Sequence, residues 1–306
     1  LNVIFFLLAF TPEGNEPGLV EQKQALEKQI ATASEPARLH MKLSQVLQEL
    51  GEHKASVAHA EKALESLDDS AEAHYRYAVA LRHKMEKSPL SWVSGKAKYL
   101  QNLERAIELD KTFVPAYQEL AGFNLSAPGF LGAHADKALK IGEALAVHDV
   151  KQGGLLIVDA YEKKQDGAKA LQALKTLSAQ LPNDQEIHYK VGFYLQTREQ
   201  YRESLTFFEK EVEGEALDPT KLYQAARSRI LGNFELENAI ALLDRYAEVR
   251  GETPGPTLAD ALWRQGVAHL GLNNKAEAKR CFQKALDLDP EHANAKEGLQ
   301  DLRSAQ

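Results

Sequence analysis

The chain has 306 residues, 44% hydrophobic and 26% charged, a balance too apolar for a disordered polymer and ordinary for a folded one. Its net charge of −7 argues against a nucleic-acid binder, since neutralising phosphates requires a basic face; the small basic clusters, Lys163 with Lys164 and Arg227 with Arg229, sit among acids. The single cysteine, Cys281, can form neither an internal disulfide nor a multi-cysteine metal site, and beside Phe282 it reads as a small core residue.

In chain order, residues 1–10 are nearly all apolar and are followed by the polar break Thr11-Pro12-Glu13-Gly14-Asn15. The run is too short to span a bilayer but fits the apolar core of a secretory signal, so export to the periplasm of a bacterial envelope is expected. The alternative is a cytoplasmic protein whose apolar N-terminal segment covers the first helix pair. Residues 19–33 read as an extra helix with Leu26 and Ile30 facing the rest of the fold. After it, amphipathic helices come in pairs: 39–50 with 53–67, 73–85 with 96–109, 116–125 with 135–147, 154–164 with 167–181, 186–196 with 201–212, 222–231 with 236–249, and 258–272 with 275–290. The polar tail 291–306 reads as a capping helix. Good helix formers dominate throughout, and long runs of alternating β-branched residues are missing.

The last pair carries the clearest pattern. Gly266 is small in its first helix, Ala278, Phe282 and Ala285 come next in the second, and Pro290 closes it. Small side chains let paired helices approach, Phe282 fills the gap to the next helix, and proline stops a helix because it lacks an N–H. Corresponding small residues Ala170, Ser204, Ala239 and Ala278 lie 34, 35 and 39 residues apart. In these residues the chain resembles the tetratricopeptide repeat. The resemblance implies an all-α, right-handed superhelical solenoid of about seven helix pairs with a C-terminal capping helix. Residues 1–17 are then the signal-like segment and 18–306 the solenoid domain.

In this family the first helix of each pair lines a concave groove. The helical period turns Tyr75, Arg82, Tyr189, Phe193, Tyr223, Arg227 and Trp263 inward, among others including Gln118. Tyr, Trp and Arg are the residues that most often carry interface energy, so these are candidate partner-binding residues. The alternative is that the aromatic row packs neighbouring helices together. Two connections are longer than the tight turn within a pair: 87–95, with Leu90, Trp92 and Val93, and 126–132, with Phe130 and Leu131. Both carry Pro and Gly, both belong to neighbouring pairs, and both are expected on one edge of the solenoid, with Trp92, Phe130 and Leu131 as candidate docking residues. The alternative is that the loops pack on each other and hide their apolar side chains. The Lys, Asn and Arg set with which some family members clamp a chaperone's C-terminal carboxylate is scattered here, as Lys42, Arg76 and Arg264, and lacks inward asparagines.

Motifs for chemistry are missing. There is no His-Glu-x-x-His zinc signature, no Gly-x-Ser-x-Gly elbow, no Ser-x-x-Lys pair and no Gly-rich phosphate loop. The ten histidines read as surface or half-buried helix residues. No catalytic residue, cofactor or metal is expected. The chain is expected to be a non-catalytic scaffold or adaptor that holds a peptide or partner helix, with no membrane-spanning segment once any signal is removed. The alternative is a periplasmic small-ligand-binding or transporter-accessory protein with an apolar ligand among Tyr189, Phe193, Tyr223 and Trp263.

Overall fold

A computed structural model describes residues 16–86, 89–209, 218–251 and 255–304. The apolar run 1–10, the start of the 87–95 connection and the end of the expected 201–212 helix lie outside these. Among the described residues there are sixteen α-helices and no strand. They fall into two compact units, Leu1–Ala170 and Leu171–Gln306.

The first unit holds α1 (Glu16–Thr32), α2 (Ala37–Glu49), α3 (His53–Leu64), α4 (Ala71–Met85), α5 (Pro89–Leu109), α6 (Val114–Ser126), α7 (Ala135–Ala146) and α8 (Val150–Lys163). A single 3-10 turn, Gly129–Leu131, interrupts the α6–α7 connection. Helix α9 (Gly167–Gln180) begins in the first unit and continues into the second. The second unit goes on through α10 (Gln185–Thr197), α11 (Tyr201–Phe208), α12 (Pro219–Leu231), α13 (Leu236–Val249), α14 (Leu258–Gly271), α15 (Lys275–Leu288) and α16 (Ala293–Ser304).

Local chemistry sets where these helices start. Ser70, Asp149, Asp184, Asp218 and Asn274 each cap a helix by accepting from a backbone N–H two or three residues on. Thr257 and Asp260 form a reciprocal capping box at α14. Five of the turns within pairs share one ending. Gly51, Gln165, Glu199, Asn233 and Asn273 all take a left-handed φ of 51–75°. In each case the next residue's N–H reaches back five positions to a helix carbonyl: Glu52 to Leu47, Asp166 to Tyr161, Gln200 to Leu195, Phe234 to Arg229 and Asn274 to His269. This Schellman closure satisfies the orphan carbonyls and reverses the chain within three residues.

Packing then depends on the small residues. Ser56, Ala170, Ser204, Ala239 and Ala278, each the fourth residue of a second helix, are all fully buried. A Cβ on Gly192 would lie 2.4 Å from the Phe208 ring, and one on Gly266 2.4 Å from Phe282, so each glycine lets an aromatic ring of the second helix seat against the first.

One connection differs from the sequence reading. Residues 89–95 are not a loop but two further turns at the start of α5. Pro89 stands at the helix start, where its missing N–H costs nothing. Gly95 faces α4, and a Cβ there would come 2.4 Å from Met85 Sδ. Both residues look like loop signals in the sequence; one starts a helix and the other permits close helix packing.

Candidate functional site

The α4–α5 and α6–α7 connections are the two within described pairs that lack the Schellman turn, and they meet. Trp92, on the extra turns of α5, lies face to face with Phe123 of α6 (centroids 5.9 Å apart, 27° between planes) and edge-on to Tyr99 (5.7 Å). Tyr99 in turn meets Phe123 at 5.8 Å. Lys96 Nζ donates to the Leu131 carbonyl at 2.9 Å, tying α5 to the 3-10 turn.

Around this aromatic cluster lies a cleft of about 830 Å³, within the usual range for ligand pockets. Tyr75 and Arg82 come from one face of α4, seven residues apart. Gln118, Glu119 and Phe123 come from α6, and Phe130 and Leu131 from the 3-10 turn. Leu131 points into the core at 7% exposure, whereas Phe130 stands at the rim at 77%. Leu90 and Val93 are also exposed. Tyr75 is half-buried with its edge on Phe113, 5.4 Å away.

One wall is polar. Arg82 Nε is 2.6 Å from Glu119 Oε1, and its Nη1 donates to Glu86 Oε1 at 2.5 Å. The Tyr99 hydroxyl donates to Glu119 at 2.9 Å. Burial pushes the Tyr99 phenol far above its ordinary value, and the neighbouring Glu119 carboxylate adds to the shift, so the hydroxyl stays protonated as a donor. The cleft thus pairs an aromatic floor with one cation held between two carboxylates.

Of the predicted residues, Tyr75, Arg82, Trp92, Phe130 and Leu131 line this cleft. The sequence did not single out Tyr99, Glu119 or Phe123. Their signal was present: Tyr99 lies seven residues after Trp92, on the same helix face once 89–95 is recognised as helix.

The other predicted residues belong to the second unit and pack differently. Tyr189 and Phe193 lie against Phe208 (6.2 and 5.5 Å), and the Tyr189 hydroxyl donates to Asp218, the cap of α12. Tyr223 is 4% exposed and tilted on Tyr246 at 5.2 Å. Trp263 is half-buried, with His292 5.9 Å away and the Arg264 guanidinium 4.6 Å from its ring centre. Tyr189 and Phe193, Tyr223, and Trp263 fall in three separate packing clusters of the second unit. Arg227 Nη1 donates to Gln196 Oε1 at 2.8 Å, while its Nε is buried without a hydrogen-bond partner.

No group of three or more potential metal ligands occurs among the described residues, and no described helix is long and apolar enough to cross a membrane. Cys281 is buried, which raises its thiol above the ordinary value.

Residues 37–66 and residues 259–292 each match a sequence model described as Tetratricopeptide repeat. Among curated proteins, none matches the chain in sequence. Among solved structures, the C-terminal part of a TPR repeat-containing protein from Cytophaga hutchinsonii is similar over 92% of this chain and 95% of its own, with TM-score 0.51 and 14% identity. MamA from Desulfovibrio magneticus RS-1 covers 59% of this chain and 97% of its own, at 16% identity and TM-score 0.45. YrrB, described as a TPR protein with an unusual peptide-binding site, covers 79% of this chain and 97% of its own, at 21% identity and TM-score 0.37. Paired helices closed by a repeated turn, with matches near both ends, define an α-helical repeat protein. The chain carries tetratricopeptide repeats at residues 37–66 and 259–292, and its fold is similar to that of a solved TPR repeat-containing protein.

Proposed function

We propose that this chain is a non-catalytic interaction scaffold whose first unit receives a peptide or partner helix in the cleft between α4, α5, α6 and the 3-10 turn. Helical repeats of this class present surfaces for other proteins, and the residues assembled here are those that carry interface energy. One observation carries the reading: Phe130 stands 77% exposed at the mouth of a cleft floored by Trp92 and Phe123. A large apolar ring held in water beside an apolar cleft marks a surface built to be covered. The floor would take an aromatic or aliphatic anchor side chain, and the Arg82–Glu86–Glu119 wall would pair with the polar groups around it.

The small-ligand alternative is the less favoured reading, because the four aromatics that suggested it belong to three packing clusters. Export remains a proposal resting on the apolar composition of residues 1–10.

The test is selection of displayed random peptides on the immobilised full chain. Peptides with a large apolar anchor are expected to be enriched and to bind Trp92→Ala at least about tenfold more weakly, since truncating a buried aromatic anchor typically costs about 2 kcal/mol or more. No enrichment, or equal binding to Trp92→Ala and Phe130→Ser, would remove the cleft from the interface.

A further inference from the structure

One carboxylate of the cleft is short of donors. Glu119, on α6, keeps 17% of its side chain exposed and lines the cleft together with Tyr75, Trp92, Tyr99, Phe123 and Phe130. Both of its close contacts fall on one oxygen: the Tyr99 hydroxyl donates to Oε1, and Arg82 Nε lies 2.6 Å from the same atom. The Arg82 contact is an ion pair without an aligned hydrogen bond, because Nε has no well-directed acceptor. Among the described residues no hydrogen bond is donated to Oε2. An ionised carboxylate has about four acceptor sites, so one that is mostly buried and takes a single directed bond is completed by a donor from outside.

The surrounding charges fix the sign of that donor. Arg82 is set between Glu86 and Glu119, so one cation faces two carboxylates. His83 reaches Glu86 Oε2 at 3.1 Å but adds no charge at neutral pH: burial, and then the Arg82 charge, hold it below the usual histidine value. Lys96 is turned away to the Leu131 carbonyl. The wall therefore keeps a negative excess, beside aromatic sides whose low polarity strengthens any ion pair formed there. An arginine suits this setting better than a lysine. Its planar guanidinium can lie on an aromatic ring such as Phe130 while its N–H groups donate in plane, and it is less tightly hydrated than an ammonium.

We propose that the cleft recognises a basic motif, an arginine close to a large apolar anchor, with the apolar side chain on the Trp92–Phe123 floor and the guanidinium donating to Glu119 Oε2. This deepens the scaffold reading and rests on it for the partner being a peptide or helix. The scaffold reading needs only the apolar anchor, so the arginine can fail while the cleft stands.

Displayed random dodecapeptides are selected on the immobilised full chain, and the most enriched peptide, labelled with fluorescein, is the probe for anisotropy. Arginine is expected within about four positions of the apolar anchor, the reach of neighbours on one helix face. Replacing that arginine by glutamine should weaken binding about tenfold, the size of one lost charge-assisted contact, and replacing it by lysine should weaken it several-fold. Glu119→Gln keeps an acceptor for Tyr99 and removes only the charge. It should bind the arginine peptide about tenfold more weakly, yet bind the glutamine peptide as the parent chain does, so that the two losses do not add. Additive losses, or a glutamine peptide that binds the parent as tightly as the arginine peptide, would overturn the arginine assignment and leave the apolar cleft in place. The second of these outcomes is decisive even if Glu119→Gln does not melt like the parent, because only the peptide is changed. Selected peptides rich in Asp or Glu would overturn the assignment in favour of Arg82 as the recognising group. No enrichment of any peptide would overturn this inference and the scaffold reading together.

Discussion

Individual glycines show how closely residue identity is tied to packing. Gly153 of α8 faces α7 so tightly that a Cβ would lie 2.2 Å from the Ala146 amide nitrogen, a backbone atom that cannot rotate away. Gly122 of α6 faces the cleft, with nothing within 4 Å of the position a Cβ would take. The same substitution should therefore act in opposite directions. Gly153→Ala should destabilise the fold by about 3 kcal/mol, at the upper end for overpacking. Gly122→Ala should stabilise it by up to about 1 kcal/mol through helix propensity alone. Urea denaturation of both variants measures this, and a neutral Gly153→Ala would show that α7 and α8 are not so close. Phe282 illustrates the converse relation: glycines 266 and 298 both leave room for its ring, so one aromatic joins α14, α15 and α16.

At the scale of the element, the Schellman turns explain why the hairpins form and where they can be improved. Five turns place a residue in the left-handed region, and glycine occupies only one of these positions, Gly51. A side chain there costs roughly 1–2 kcal/mol, partly offset because glycine loses more chain entropy on folding. Glu199→Gly should thus raise stability by about 0.5–1 kcal/mol. Gly51→Ala should lower it by about 1 kcal/mol although a Cβ would touch nothing there. Equal midpoints of chemical denaturation for Glu199→Gly and the parent chain would contradict the left-handed turn. The two pairs without this turn build the cleft, so the departure from the repeated closure is where the protein differs from a plain array. Trp92 marks that difference: it is displayed by helical turns that a standard pair does not possess.

At the scale of the whole molecule, the two units carry different chemistry. The first has histidines packed against one another. His40 and His59 share an Nδ1–Nδ1 contact of 2.8 Å between α2 and α3, and His83 stacks with His53 at 6.0 Å. Burial lowers the values of His40, His59 and His83. The positive charges of Lys62 near the first two and Arg82 near the third add to this, against Glu65, Glu27 and Glu86. A histidine depressed in the folded state binds its proton more readily when unfolded, so its contribution is complete above about pH 6.5 and is lost as pH falls through the folded value. Hydrogen exchange in α2–α4, corrected for intrinsic rates, should therefore accelerate between about pH 7.5 and about pH 5.5, and His59→Gln should blunt the change. A pH-independent pattern would mean that the pair is solvated and not buried. In a repeat protein such local loss is expected to stay with nearest neighbours, because each pair contacts mainly the next.

Sequence alone determined the helix pairs, their order, the repeat class and the small residues at equivalent positions. These come from local rules: helical period, caps, breakers and a recurring length near 34 residues. It also marked the two unusual connections and the residues Tyr75, Arg82, Trp92, Phe130 and Leu131 now found around one cleft. It misread 89–95 as loop, because Pro89 and Gly95 carry the same local signal whether they break a helix, start one or let two helices touch. Only tertiary structure decided between those uses. It also showed which neighbours Tyr189, Phe193, Tyr223 and Trp263 pack against, that Arg82 has two carboxylate partners, and that Arg227 and Arg264 have none among the described residues. Periodicity says which way a side chain points along its own helix, whereas burial and charge pairing depend on what a different helix brings opposite it.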